Sequence, residues 1–406
     1  MESAPANRLV SLDAFRGFIM LLMASGGFGI TQMAKDHPDS WWPAIATQFE
    51  HRAWTGCALW DLIQPAFMFM VGLAMAYSYA RRGAQGDNFV KMLGHAIVRA
   101  VVLVLLAVLL ASKGKPQTEW VFTNVLGQIG LGYVFLFLLW RCGWEVQAAA
   151  FVMIIAGYWW WLLSHPLPGT AFEAGPTDKV GAAGVLQGFF AHWNAHTNAA
   201  AEFDRWFLNW FPRKERFEFN GGGYQTLNFI PSIATMLAGL LTGRYLHRST
   251  DARFTCARLV VGGVVLLMVG AVSGILICPI VKRIWTPSWV LLSGGWVLLM
   301  LSFFYWLVEI AGQRKLVFPL VVVGMNSIFI YLMHSLCANW IKDALKTHFG
   351  ATIVSGSWTT FVLGSFAHYW RAEAPRWAPV AESVGTLLVL WLLCWWLYRQ
   401  RVFLRI

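Results

Sequence analysis

Glu50-His51-Arg52-Ala53-Trp54-Thr55-Gly56-Cys57-Ala58-Leu59-Trp60-Asp61-Leu62-Ile63-Gln64-Pro65 runs straight into Ala66-Phe67-Met68-Phe69-Met70-Val71-Gly72. It sets a histidine and a carboxylate at the mouth of an apolar run long enough to enter a bilayer. Ionisable groups are costly there, so their presence points first to function. Similar apolar runs recur along the 406 residues, which are 58% hydrophobic and 13% charged, with mean hydropathy +0.55. A soluble domain carries about 25% charged residues. The runs have the roughly 20-residue length that crosses about 30 Å of hydrocarbon as helix, which excludes a barrel of short alternating strands. The expected fold class is all-α: a polytopic helical bundle of about ten transmembrane helices.

Working outward, spans are expected at Leu9–Met33, Ala58–Ala80, Met92–Ala111, Trp120–Trp140, Val146–Leu163, Thr226–Leu246, Ala257–Cys278, Thr286–Glu309, Leu316–Leu336 and Val380–Tyr398. Val354–Phe366 is short and rich in Ser, Thr and Gly, and reads as re-entrant or surface-lying. With this count, Arg81, Arg82, Arg141, Arg244, Arg248, Arg314, Arg399 and Arg401 gather on one side, together with both termini. The short connections of the other side hold Lys35, Arg52, Lys113, Lys115, Lys282 and Arg283. Cytoplasmic loops carry the excess of Lys and Arg, so both termini are expected in the cytoplasm. The net charge of +11 is explained by this topology and not by nucleic-acid binding. The chain is expected to form one transmembrane domain, 1–406, with an external loop insertion at about 164–225. Within that loop, Phe203–Pro212 reads as a helix lying in the membrane interface. Met1–Arg8 is polar and the first apolar run contains Asp13 and Arg16, so no cleavable signal is expected.

Polar side chains inside the spans collect toward the external half: Asp61, Gln64, Asn124, Gln128, Thr226, Asn228, Asn326, Ser327 and His334. Ser327, Tyr331 and His334 stand at i, i+4 and i+7, one stripe of a helix. Polar groups of this kind either line a cavity or hydrogen-bond between helices. In the inner half Asp13 and Arg16, at i and i+3, either neutralise one another or leave Arg16 to meet an anionic ligand. His51 is the side chain best suited to exchange a proton near neutral pH. On one continuous helix His51 and Asp61 would be about 15 Å apart, so a direct pair needs a bend, which Gly56 can supply. The six cysteines are scattered without metal-type spacing, and no metal is expected. Gly239/Gly243 and Gly270/Gly274 carry the spacing of close helix packing.

Several of these pieces together resemble a known family. They are Arg8-Leu9-Val10-Ser11-Leu12-Asp13-Ala14-Phe15-Arg16-Gly17, the His51–Gly72 stretch, Pro279 with Lys282-Arg283-Ile284-Trp285-Thr286-Pro287-Ser288, Gly324-Met325-Asn326-Ser327-Ile328 with Tyr331 and His334, and the ending Tyr398–Ile406. In this order they resemble the heparan-α-glucosaminide N-acetyltransferase family and its bacterial relatives over the whole chain, least in the external loop. The resemblance implies an acyltransferase that takes acetyl from cytoplasmic acetyl-CoA and delivers it to a glucosamine amine on the far side. It implies His51 as the catalytic histidine and Asp61 as its acidic partner. Ser40 stands where an active-site asparagine of the lysosomal enzyme aligns.

From the chemistry of amide formation, Asn326 or Ser327 would donate to the oxyanion, with His334, Gln128 and Asn228 lining the substrate path. Arg16, or failing it Lys282, would hold the CoA phosphates. Acetyl-CoA is then the co-substrate, and the partners are an amino sugar or glycan, the bilayer and, in an oligomer, a second copy as a homodimer. The expected location is a cell inner membrane with a periplasmic active face. The competing classes are a transporter of amino sugars or cell-wall fragments, which polar residues at membrane depth also mark, and a structural membrane subunit.

Overall fold

The computed structural model describes residues 9–167, 185–355 and 366–404. In chain order its helices are α1 Val10–Ala24, α2 Ile30–Asp36, α3 Trp42–Ala46, α4 Ile63–Ala84, α5 Phe89–Ala111, α6 Val125–Trp140, α7 Trp144–Ser164, α8 Ala199–Phe207, α9 Phe229–Arg248, α10 Ala252–Leu276, α11 Pro287–Tyr305, α12 Phe318–Gly324, α13 Ser327–Ser355 and α14 Phe366–Arg399. Among the described residues the one β pairing is an isolated bridge between Thr55 and Val281, so the architecture is all-helical. Among the described residues seven helices are long and apolar enough to cross a membrane, or up to nine if each of two bent pairs counts as one span. The expected Trp120–Trp140 span is a 16-residue helix, α6. All but the ends of Val354–Phe366 lies outside the described residues, as does the part 168–184 of the 164–225 insertion.

Helix starts follow the residues that can accept the free N–H groups of a first turn. Asn88 accepts from Lys91 N before α5, Asn124 from Gly127 N before α6, Asn198 from Ala200 and Ala201 N before α8, and Asp251 from Phe254 N before α10. Thr286 caps α11, with Pro287 in its first turn, where no N–H is needed. Several helices keep large apolar side chains uncovered: Val98, Val101 and Leu105 on α5, Val152 and Met153 on α7, Val261, Met268 and Val272 on α10. Faces this apolar suit hydrocarbon and not water.

The chain forms two compact units. The first holds the described residues of Met1–His51, Ala58–Ile63 and Leu307–Arg405. Here α1 lies against α12, with Gly324 seated on the Asp13 carbonyl and Gly17 on that of Leu320. Glu309 reaches the α1 start, accepting from Ser11 N at 3.2 Å. Lys342 and Lys346 of α13 both pair with Glu382 of α14, at 2.9 and 3.3 Å. Two expected spans are broken. Leu9–Met33 becomes α1 and a second piece bent by 43°, across the left-handed residues Gly27, Phe28 and Gly29. Leu316–Leu336 becomes α12 and α13, bent by 78°.

The second unit holds Arg52–Cys57 and Gln64–Trp306. Its α4 and α9 meet backbone to backbone: a Cβ on Gly72 would stand 1.7 Å from Met236 O, and one on Gly239 would stand 1.9 Å from Phe69 O. The first glycine of the Gly239/Gly243 pair thus serves packing. Both obstacles are main-chain atoms, so the helices must separate to admit a side chain. Gly239→Val is expected to destabilise the protein by about 1–3 kcal/mol, read as a lower midpoint of thermal unfolding in detergent. An unchanged midpoint would show that the α4–α9 approach does not limit stability.

Candidate active site

His51 and Asp61 both belong to the first unit, which the chain leaves after His51 and re-enters at Ala58. Gly56, at φ +106°, lies in the excursion between them and provides backbone freedom that a residue with a side chain lacks. Trp54 and Thr55 tie the excursion into the second unit: the Trp54 Nε1 donates to Trp193 O at 3.0 Å and Gly56 N to Ile280 O at 2.9 Å. Asp61 sits on a single 3-10 turn, Leu59–Leu62. Gln48 clamps this turn to the segment that carries His51. Its carbonyl accepts from Trp60 N at 2.9 Å, and its side-chain oxygen accepts from Leu59 N at 3.3 Å. Phe49 adds a ring contact with Trp60 at 6.1 Å between centroids.

The clamp brings His51 Nδ1 to 2.7 Å from Asp61 Oδ1, and Ala58 N donates to Asp61 Oδ2 at 3.1 Å. The carboxylate side chain is 1% exposed and the imidazole 40%. A carboxylate only accepts, so in neutral His51 the proton sits on Nδ1 and the lone pair on Nε2. A ring held this way can take a proton at Nε2 while the carboxylate stabilises the resulting imidazolium.

The other expected site residues are placed as follows. In the first unit Asn326 is fully buried. Its Nδ2 donates to Val402 O at 3.2 Å and its Oδ1 accepts from Leu404 N at 3.1 Å, so its amide holds the chain's last residues. Ser327 Oγ donates to Gly324 O at 2.8 Å. These residues follow Gly324, which lies against Asp13 in the first turn of α1, whereas Phe49 packs on Gly27 beyond its far end. The two places are about 20 Å apart along α1. Asn326 and Ser327 thus follow a helix end that lies near the start of α1, while Phe49, two residues before His51, lies near its far end. His334 lies on α13, two turns beyond Ser327 on the same stripe. Arg16 stands 3.7 Å from Asp13. Ser40 is exposed and donates to His37 O at 2.6 Å.

In the second unit Gln128 is fully buried and accepts at Oε1 from Gln64 at 3.2 Å and from Ser232 at 3.0 Å. Asn228 donates to Arg283 O at 2.8 Å, and its Oδ1 is buried with no hydrogen-bond partner among the described residues. Lys282 is 5% exposed. The clamp residue Gln48 went unrecognised in the sequence, where it carries no signal beyond a polar side chain in a loop. Asp204, on α8 in the 164–225 insertion, carries no such signal either. It is fully buried, and its Oδ2 accepts from Thr226 N at 2.9 Å.

Burial pushes the Asp204 carboxyl up to about 6, against the opposing bond from Thr226 and the charge of Arg213. The folded protein therefore holds this proton more tightly than the unfolded chain. Its contribution to stability is full below the unfolded pKa near 3.8 and is lost as pH rises through about 6. Unfolding midpoints measured from pH 4 to 7 are expected to show this decline in the wild type and to lose it in Asp204→Asn. An identical decline in both proteins would assign it to other groups.

No family model matches the chain. Two curated proteins do: the heparan-alpha-glucosaminide N-acetyltransferase of Mus musculus is 25% identical over 385 residues, covering 84% of this chain and 55% of that protein. The Homo sapiens protein of the same name is 25% identical over 387 residues, covering 85% and 55%. The chain is a distant relative of these N-acetyltransferases. It spans about half the length of the two curated relatives. Among the described residues no cluster of three or more His, Cys, Asp or Glu is arranged to hold a metal ion.

Proposed function

We propose that this multi-pass membrane protein moves an acetyl group from acetyl-CoA, supplied on the cytoplasmic side, to the amine of a glucosamine-type sugar on the external face. The proposed location is an inner membrane with the site facing the periplasm. The observation that carries the reading is the His51–Asp61 pair at 2.7 Å, in a chain related to N-acetyltransferases. In the proposed step the sugar amine attacks the thioester carbonyl, and His51 Nε2 takes the proton the nitrogen must lose. The tetrahedral intermediate collapses as the C–S bond breaks. The departing thiolate takes the proton from the imidazolium, which Asp61 stabilises in the interval. Amide and free CoA thiol result, and His51 returns to its starting tautomer.

Purified protein in liposomes, given radiolabelled acetyl-CoA on one side and glucosamine on the other, tests this directly. Labelled N-acetylglucosamine is the expected product. Uptake of unmodified sugar would support a transporter instead, and neither product nor uptake would support a structural subunit.

A further inference from the structure

Within the second unit, the C-terminal ends of α6 and α9 and two alanines of α4 surround a cavity of about 300 Å³. This volume is at the lower end of the range for small-molecule sites. Its walls carry Arg141, Arg244, His247 and Arg248, with Trp140 beside them and no carboxylate. Three guanidinium groups around one open cavity place like charges near one another, which an anion between them would offset.

Part of this charge has a local role. Arg244 Nη1 donates to Cys142 O at 2.6 Å, and Arg141 lies over the Phe89 ring at 5.0 Å. Basic residues in a last helical turn also complement the helix dipole. Neither role balances the charge with a carboxylate: among the described residues Arg141, Arg244 and Arg248 form no ion pair. Guanidinium forks match the geometry of phosphate oxygens, with two N–H groups to one anion. Small alanine side chains on α4 leave room for the group.

We infer that this cavity is a binding site for a phosphate-bearing ligand, held by Arg141, Arg244 and Arg248. None of these residues takes part in the proposed proton-transfer step; of the two sources below, the nucleotide one rests on the proposed use of acetyl-CoA and the lipid one does not. Two sources share the chemistry: the phosphodiester headgroup of an anionic lipid, and the phosphates of a soluble nucleotide such as the CoA head. The probes are adenosine 3′,5′-bisphosphate, titrated calorimetrically, and phosphatidylglycerol, retained after exchange from mixed nanodiscs and counted by native mass spectrometry.

The variant pair is Arg248→Gln and Arg248→Lys, because Arg248 makes no backbone bond that its loss would break. Unfolding midpoints close to the wild-type value verify the fold. Wild-type protein is expected to bind at least one probe. Arg248→Gln should weaken that binding about tenfold or more, with Arg248→Lys in between. Nucleotide binding alone names the nucleotide source; lipid retention alone names the headgroup. Binding of neither probe by the wild type, or equal binding by wild type and Arg248→Gln, overturns the site.

Discussion

Loss of His51 is expected to lower acetyl transfer by about 10²- to 10⁴-fold, the usual cost of removing a general base. The structure shapes the choice of substitution. His51→Ala removes the donor 2.7 Å from a carboxylate that is 1% exposed, so it takes one hydrogen-bond partner from a buried carboxylate as well as removing the base. A fall in activity would then be mixed with a fall in stability. His51→Gln keeps an amide N–H that can donate to Asp61 Oδ1 and has no titratable nitrogen. Both variants should be inactive; only His51→Ala should lose stability, by about 1–3 kcal/mol. The measurements are turnover in proteoliposomes and the thermal midpoint of the same preparations. Near-full turnover in a well-folded His51→Gln protein would end the assignment of His51 as the base.

Asp61→Asn is expected to be nearly as damaging to turnover, for a different reason. The backbone N–H of Ala58 is fixed by the 3-10 turn and donates to Asp61 Oδ2 at 3.1 Å. An asparagine must offer its single oxygen to that donor, which turns its NH₂ toward His51 Nδ1. The imidazole then accepts at Nδ1 and carries its proton on Nε2, the wrong tautomer for a base. Stability should change little, because the Ala58 bond is kept. Asp61→Ala makes a useful contrast: it leaves the Ala58 N–H without an acceptor and is expected to cost about 1–3 kcal/mol. If Asp61→Asn kept wild-type turnover, the carboxylate would have no part in fixing the tautomer, and its role would reduce to closing the turn.

These two expectations depend on features of different origin. That the chain is helical and membrane-embedded was legible from composition and run length alone, since bilayer thickness and backbone satisfaction leave few solutions for repeated apolar runs of this length. The caps were local too: Asn88, Asn124, Asp251 and Thr286 act on N–H groups two or three residues away. His51 and Asp61 stood out because charge at the mouth of a span is costly, and the need for a bend between them followed from helical rise.

What only the tertiary structure decided are relations between residues far apart in the chain. Asn326 was read as part of an outer polar layer, yet its amide is taken up by Val402 and Leu404, more than 70 residues away. Hydropathy measures how apolar a segment is and not where a helix breaks, so the 78° bend between α12 and α13 was invisible. The clamp by Gln48 depends on the turn at Leu59 being folded before its side chain has anything to bind. The arginine cavity joins residues near 141 to residues near 248, each of which taken alone is an ordinary charge at a helix end. Local sequence determines secondary structure and burial because those respond to a residue's own chemistry. The partner of a polar group is determined by which helices come to lie side by side, and that depends on packing across the whole unit.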